Sequence, residues 1–295
     1  MNISRKFPVF LLLFTLLVCH TQCFSQKKVA ANAGAAKTIF FDDFNEDQLD
    51  RKNWNVFITG NVVNNEQQAY VDSSLVLTLV KGEAAQGAEN GALLIKPKYT
   101  QGFRSTKGTS FDFISGRIHT KGKVEFSYGR AEARIRITDG KGFWPAWWLL
   151  GGGDWPATGE IDIMEYIGEN WTNAALHGQG YSGNTPFVKR VPFGADSSIN
   201  NWHIYAVDWT AEEIDFSIDG KSFYKVSKPE IEKYGKWAYD SPKHLILNFA
   251  LGGSYPAGVN KVTSPYPGLP EASVELIKAG KCQMLVDWVK VTANP

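Results

Sequence analysis

Cysteine is scarce in this chain of 295 residues, which contains Cys19, Cys23 and Cys282. The first two lie in an N-terminal segment with the pattern of a cleaved signal, and we expect cleavage after Ser25. Cys282 is then alone, so an intramolecular disulfide is excluded. The mature protein therefore has to be stabilised by its hydrophobic core, with a bound metal as one further contribution.

Long hydrophobic runs are also lacking. Arg5 and Lys6 precede an apolar run of about eleven residues, 8–18, which is too short to span a bilayer. A basic start followed by a short apolar run is typical of a secretory signal. We predict that residues 1–25 are a signal peptide and that the protein is secreted or periplasmic. An uncleaved anchor is the alternative.

Charge of one sign is not in excess, because 31 basic and 30 acidic residues give a net charge of +1. This balance provides no footprint for nucleic acid or for an anionic membrane. It also argues against a strongly sulfated polysaccharide as the substrate, although a neutral total does not exclude a local basic patch. We expect a polysaccharide partner and a monomeric protein, with no nucleic acid and no membrane contact after signal cleavage.

Helical periodicity is scarce, and short strands separated by glycine and aspartate turns dominate. Residues 131–137 alternate apolar and charged side chains, and Asp219-Gly220 is a hairpin turn between two strands. Further strands are predicted over residues 75–80, 123–126, 202–209, 214–218, 244–249 and 284–291, with a short turn at 229–234. This pattern predicts an all-β sandwich of two antiparallel sheets.

The most informative segment is residues 159–165, where Glu160, Asp162 and Glu165 lie in an otherwise apolar strand. Glu160 and Asp162 share one face because strand side chains alternate. Glu165 falls on the opposite face unless a β-bulge at Ile163-Met164 adds one residue and returns it. The alternative is an ordinary strand with a charged, solvated face.

Aromatic residues beside this strand favour a chemical role for the carboxylates. Trp144, Trp147, Trp148 and Trp155 lie within a dozen residues. Indole rings stack on sugars, and a pair of carboxylates about 5 Å apart is the arrangement of a retaining glycosidase. Clustered aromatics are more often core, but their position next to three carboxylates indicates a sugar-binding cleft.

Residues 159–166 (GEIDIMEY) resemble the active-site signature of glycoside hydrolase family 16 in its bulged form, and are most similar to the laminarinase-like endo-β-1,3-glucanases. Other family motifs follow in the same order over residues 38–292. They are residues 64–70, 115–122, 128–135, 144–146, 155–156, 177–178, 247–248 and 252–253.

The resemblance implies a β-jelly-roll sandwich of two antiparallel sheets with a concave substrate cleft. Residues 38–295 would form a single catalytic domain after a flexible lead-in, residues 26–37. The implied activity is secreted, endo-acting, retaining hydrolysis of laminarin-type β-1,3-glucan, extending to mixed β-1,3/1,4-glucan. A marine galactan (agar, porphyran or carrageenan) is an alternative substrate. The other alternative is a non-catalytic β-glucan-binding protein, which typically lacks the glutamates.

The resemblance also implies roles for individual residues. Glu160 matches the nucleophile, which must be ionised, and Glu165 matches the general acid/base. Asp162 lies between them and tunes their protonation. The implied substrate-binding residues are Asn64, Glu132, Arg134, Trp144, Trp148, Trp155 and His177.

Two of these assignments have structural alternatives. Glu132 and Arg134 share a strand face, so they could instead be an exposed ion pair. A lone histidine such as His177 has many structural roles. Tyr255 stands where relatives often carry tryptophan, which puts the preferred substrate in doubt more than the chemistry.

No cofactor is expected for catalysis, but the resemblance implies a structural calcium away from the cleft. Asp43 and Asp287 match its side-chain ligands, and Gly82 would supply a carbonyl. Oxygen ligands suit Ca²⁺. Asp43 stands where relatives often carry glutamate, and the alternative is two ordinary surface aspartates.

Overall fold

The computed structural model describes Met1, residues 37–194 and residues 197–293. The predicted signal peptide, apart from Met1, and the predicted lead-in, apart from Lys37, lie outside the described residues. No helix in the described ranges is long and apolar enough to cross a bilayer.

The described residues form strands with a few short helices. The first ten strands are β1 (Thr38–Asp42), β2 (Asn55–Val56), β3 (Gln68–Tyr70), β4 (Leu77–Val80), β5 (Ala92–Ile95), β6 (Lys98–Arg104), β7 (Ser110–Ser115), β8 (Arg117–His119), β9 (Glu125–Phe126) and β10 (Gly129–Ile137). The others are β11 (Phe143–Gly151), β12 (Glu160–Tyr166), β13 (Trp171–His177), β14 (Val188–Pro192), β15 (His203–Trp209), β16 (Glu213–Ile218), β17 (Lys221–Ser227), β18 (Lys243–Leu251) and β19 (Met284–Thr292). The helices are α1 (Lys228–Ile231), α2 (Ser254–Asn260) and α3 (Glu271–Lys278), and Gly82–Ala85 forms a 3₁₀ turn.

Two large antiparallel sheets carry most of the strands, which confirms the predicted sandwich. The outer sheet has the order β17-β16-β15-β10-β19-β5-β4, and β1 also pairs with β19. The cleft sheet has the order β14-β13-β12-β11-β18-β8-β2, and β9 also pairs with β18. A small third sheet, β3-β7-β6, contains a parallel pair.

Residues from both large sheets meet in one hydrophobic core. Strand β10 confirms the predicted alternation, because its core-facing residues Ala131, Ala133, Ile135 and Ile137 are buried. On β11, Trp147 is fully buried, whereas Trp144 and Trp148 are half-buried on the opposite face. One strand therefore supplies core on one side and the cleft surface on the other.

The predicted hairpin turn is present, whereas the sequence did not predict helices α2 and α3. Asp219 and Gly220 have φ of 51° and 76° in the β16–β17 hairpin, as a type I′ turn requires. Hydrophobic periodicity does not predict α2 or α3. Helix α2 contains Pro256 and Gly258, which are poor helix formers, and α3 is only eight residues long.

The predicted bulge at Ile163-Met164 is confirmed by the register on both sides of β12. Asp162 pairs with Ala175 and Glu165 with Asn173, so three steps along β12 match two along β13. The extra residue restores Glu165 to the face of Glu160 and Asp162.

A buried lysine fixes the start of β12. Lys243, on β18, is fully buried, and its Nζ donates to the carbonyls of Thr158 and Ala238 at 2.9 and 3.0 Å. Thr158 is followed by Gly159, which has φ of 74° and turns the chain into β12. The ammonium therefore joins β18 to the turn that precedes the carboxylates.

Lys243 gives stability a specific pH dependence. Burial lowers its pKa from 10.5 to about 8. Between these values the unfolded chain binds more protons than the folded chain, so stability rises with pH. We expect the free energy of unfolding of the wild type, relative to Lys243→Met, to rise by roughly 3 kcal/mol from about pH 8 to pH 10.5. Urea unfolding across this range measures it, and a pH-independent difference would contradict it.

Candidate active site

The cleft brings together most of the predicted catalytic and binding side chains. Those that line it are Asn64, Trp144, Trp148, Trp155, Glu160, Asp162 and Glu165. His177, on the neighbouring strand β13, contacts Asp162 from the side. The three carboxylates thus face the same space, as the bulge requires.

Both carboxylate oxygens of Glu165 accept hydrogen bonds. Trp144 Nε1 donates to Oε1 at 2.9 Å, and Asn173 Nδ2 donates to Oε2 at 2.8 Å. Asn173 lies directly across from Glu165 in the β12–β13 register, and its Oδ1 accepts from the Tyr255 hydroxyl at 3.2 Å. These contacts fix the orientation of the carboxyl group at the cleft surface.

Glu160 is held by a different indole. Trp155 Nε1 donates to Glu160 Oε2 at 3.0 Å. Burial and the charge of Asp162 raise the pKa of Glu160 to about 8, although His177 and the Trp155 hydrogen bond act in the opposite direction. Glu160 is therefore harder to ionise in the free cleft than an exposed glutamate.

The ionisation of Asp162 is coupled to that of Glu160. The Asp162 side chain is almost fully buried, and burial together with the charge of Glu165 raises its pKa well above the usual range. Because the charge of Asp162 also raises the pKa of Glu160, protonation of either carboxyl group favours ionisation of the other. The two residues titrate as a pair rather than as separate acids.

A polar network at one end of the cleft contains the predicted residues Asn64 and Trp148 together with Glu66, Tyr70 and Asn248, which were missed. Trp148 Nε1 donates to Asn248 Oδ1 at 2.7 Å, and Asn248 Nδ2 donates to the Tyr70 hydroxyl at 3.1 Å. That hydroxyl donates to Glu66 Oε2 at 3.3 Å. Residues 64–70 and 247–248 are among the motif segments, but nothing in their spacing along the chain indicates that they meet.

The cleft tryptophans differ in how much ring surface they present. Trp155 is 53% exposed at the rim. Arg117 lies over the ring of Trp148 at 4.8 Å, and Tyr255 packs edge-on against Trp144 at 5.4 Å. Arg117 therefore occupies a face of Trp148 that was predicted to stack on sugar.

The prediction that Glu132 and Arg134 bind substrate is wrong. Both lie on β10 of the outer sheet, on the face turned away from the core. Glu132 pairs with Arg130 at 3.0 Å and with Lys290 at 3.5 Å, while Arg134 pairs with Asp287. The hydrophobic core separates these charges from the cleft. The alternative of an exposed pair between Glu132 and Arg134 does not hold either, because each is partly buried and pairs with other residues.

Two of the three residues predicted to hold calcium accept hydrogen bonds from the protein. Asp287 is fully buried on β19; its Oδ1 accepts from the Glu89 backbone N–H at 2.9 Å, and its Oδ2 accepts from Arg134. Asp43 Oδ2 accepts from the side chains of Asn45 and Asn90. Gly82 begins the 3₁₀ turn. Protein donors therefore occupy both carboxylate oxygens of Asp287 and one of Asp43.

Comparison with known proteins agrees with the site. The sequence model of glycosyl hydrolases family 16 matches residues 51–268. The β-glucanase of Rhodothermus marinus is 28% identical over 267 residues, covering 86% of this chain and 84% of the relative. Glucan endo-1,3-β-glucosidase A1 of Niallia circulans is 30% identical over 257 residues, which are 78% of this chain and 36% of that protein. The crystal structure of the endo-β-1,3-glucanase of Pyrococcus furiosus superposes with a TM-score of 0.74 at 29% identity, covering 88% and 94% of the two chains.

The buried ion pair of Arg134 and Asp287 on the outer sheet leads to a prediction about stability. Removing one partner of a buried ion pair leaves an uncompensated charge, which costs about 3–5 kcal/mol. We expect Arg134→Met and Asp287→Asn each to lower the Tm by roughly 6–15 °C. Activity at low temperature should be retained, because the pair is remote from the cleft.

Thermal melts with and without a chelator complete this test. Since protein donors fill the Asp287 carboxylate, we expect EDTA to leave the Tm of the wild type unchanged. A large fall in Tm with EDTA, together with bound calcium in the purified protein, would show that calcium binds the Asp287 carboxylate and would contradict this expectation.

Proposed function

The chain belongs to glycosyl hydrolase family 16, and from that premise we propose that it is an endo-acting, retaining β-1,3-glucanase that also accepts mixed-linkage β-1,3/1,4-glucan. The observation that carries the proposal is the bulge in β12, which places Glu160 and Glu165 on one cleft surface. A different indole N–H holds each carboxyl group. The relatives named above act on β-glucans, which supports the substrate class.

In the first step, a carboxylate oxygen of Glu160 attacks the anomeric carbon. The glycosidic C–O bond breaks, and Glu165 gives its proton to the leaving oxygen. The product is a covalent glycosyl ester on Glu160, and the sugar on the leaving side can depart. Hydrogen bonds from Trp144 and Asn173 keep Glu165 aimed at that oxygen.

In the second step, the Glu165 carboxylate takes a proton from water. The water oxygen attacks the anomeric carbon, the ester bond breaks and Glu160 leaves as a carboxylate. Two inversions give net retention of configuration. Asp162 affects both steps through its charge, which raises the pKa of Glu160.

The cleft supports a neutral glucan as the substrate. Trp155 offers an exposed ring at the rim beside the nucleophile, suited to the apolar face of a sugar. Arg117 lies against Trp148, at the end of the cleft where Glu66 and Tyr70 also lie. With four acidic residues lining it (Glu66, Glu160, Asp162 and Glu165), the cleft disfavours a densely sulfated galactan.

We further propose that the enzyme works outside the cytoplasm. The support is the basic and short apolar pattern of residues 1–25. Amino-terminal sequencing of the exported protein tests it, and a mature chain beginning near Gln26 is the expected result.

A substrate panel tests the proposed activity. We expect hydrolysis of laminarin to oligosaccharides, hydrolysis of lichenan, and no action on agarose, carrageenan or xyloglucan. NMR of the first products should show the β anomer. Activity on agarose without activity on laminarin, or an initial α anomer, would contradict the proposal.

Substitution of the two glutamates tests their separate roles. Glu165→Ala should lose roughly 10²–10⁴-fold in kcat on laminarin but retain its first step on an aryl glucoside, whose leaving group needs no proton. Glu160→Ala should be inactive on both, and azide should rescue it by forming an α-glycosyl azide. Glu132→Ala is the matched control, because that carboxylate lies on the outer sheet and its loss should leave kcat unchanged. Equal behaviour of the two cleft variants would contradict these roles.

The pH profile tests the role of Asp162. Its negative charge raises the pKa of Glu160, so Asp162→Asn should lower that pKa. Because Glu160 must be ionised to attack, we expect the acidic limb of the kcat/KM profile to move to lower pH. A limb that stays in place or moves upward would exclude this coupling, whatever the change in rate.

A further inference from the structure

Three side chains in the cleft offer metal-ligand atoms close to one another. One carboxylate oxygen each from Glu160 and Asp162 and one ring nitrogen of His177 all lie within 4.8 Å of each other. Within residues 37–194 and 197–293, no other group of three His, Cys, Asp or Glu side chains meets in this way. Strands β12 and β13 create the group, because Glu160 lies directly across from His177 in their register.

A buried carboxylate oxygen of Asp162, which accepts no hydrogen bond, indicates that the site lacks a partner. Asp162 is 4% exposed, and its Oδ2 accepts no hydrogen bond in the described structure. His177 Nε2 lies 3.3 Å from that oxygen. A buried carboxylate oxygen without a donor is costly, and a cation between it and the imidazole would remove the cost.

We propose that Glu160, Asp162 and His177 bind one borderline divalent transition-metal ion, of the Zn²⁺ or Cu²⁺ class, which blocks the nucleophile. Imidazole and carboxylate ligands suit zinc and copper, whereas Ca²⁺ and Mg²⁺ prefer an all-oxygen set. Three protein ligands with an open fourth position form the usual arrangement of an accessible zinc site.

The distances are close to those of such a site. Ligand bonds of roughly 2.0–2.2 Å place two ligands of a tetrahedral ion about 3.3–3.6 Å apart. The His177–Asp162 separation of 3.3 Å already meets this requirement. Glu160, which Trp155 holds by one oxygen only, offers the third ligand atom within 4.8 Å of the other two.

The site is built for weak, reversible binding. In strong zinc sites the second ring nitrogen of a ligating histidine donates to a partner, and loss of such a partner costs 10–100-fold in affinity. His177 Nδ1 is buried and has no hydrogen-bond partner among the described residues. An ion held here takes the Glu160 lone pair needed for attack, so bound metal and productively bound glucan exclude each other. This last consequence rests on the proposed function.

Cobalt absorption tests the binding directly and independently of activity. The mature chain beginning at Gln26, prepared without a polyhistidine tag, is titrated with Co²⁺ and then with Zn²⁺. We expect one Co²⁺ per chain with the visible absorption of a low-symmetry site, and its loss as Zn²⁺ displaces it. His177→Gln and Glu160→Gln should each weaken binding at least about 10-fold. Glu132→Gln, a carboxylate variant on the outer sheet, should bind as the wild type does.

No cobalt absorption in the wild type would overturn the proposal. Binding that is unchanged in both cleft variants would do so too, because it would assign the metal to another surface. Circular dichroism of each variant identifies any loss of fold. If one variant fails to fold, the other decides the question.

Inhibition kinetics test the blocking of the nucleophile. Zn²⁺ should raise the apparent KM for laminarin without changing kcat, and EDTA should restore the original KM. Binding without competition would overturn the blocking role. Failure of the proposed function has a separate signature, since the metal-free enzyme would then not cleave laminarin at all.

Discussion

Alternation of side chains along a strand is the constraint on which the site depends. Glu160 and Glu165 are five residues apart, an odd separation that places two side chains on opposite faces of a regular strand. The bulge at Ile163-Met164 adds one residue, which returns Glu165 to the face of Glu160. The register with the neighbouring strands β11 and β13 shifts by one residue at this point. Ile163 and Met164, the two residues of the bulge, are both buried, so the core holds the bulge in place. The chemistry of the cleft is thus fixed by packing on the other side of the sheet.

Tryptophan has two functions in this cleft. The N–H groups of Trp144 and Trp155 each hold one of the two glutamates, whereas their rings form part of the surface that faces substrate. In the proposed mechanism, each of these side chains both orients a reacting group and contributes to sugar binding. Burial, followed by the close packing of the three carboxylates, raises the pKa values of Glu160 and Asp162. The same arrangement places Glu160 and Asp162 beside His177, where we propose that a cation binds.

The outer sheet carries charges of a different kind. Arg134 and Asp287 link β10 to β19 through a buried ion pair, and Glu132 lies between Arg130 and Lys290. Their residue types resemble those of a binding site, but their partners are one another. Lys243 shows a similar use of charge inside the cleft sheet, where it ties the turn before β12 to β18. In each case the charged group connects chain segments and does not face the cleft.

The sequence alone determined the strand-rich class, the alternation of β10, the Asp219-Gly220 hairpin and the bulge between Glu160 and Glu165. These features depend on neighbouring residues, because alternation and turn chemistry act over a few positions. Tertiary structure decided the rest. It separated Glu132 and Arg134 from the cleft, paired Arg134 with Asp287 where calcium was expected, and brought Glu66, Tyr70 and Asn248 together. The physical reason is that a sandwich has two outward faces and its contacts join distant residues, so the spacing along the chain does not reveal which face a polar residue occupies or which partner it meets.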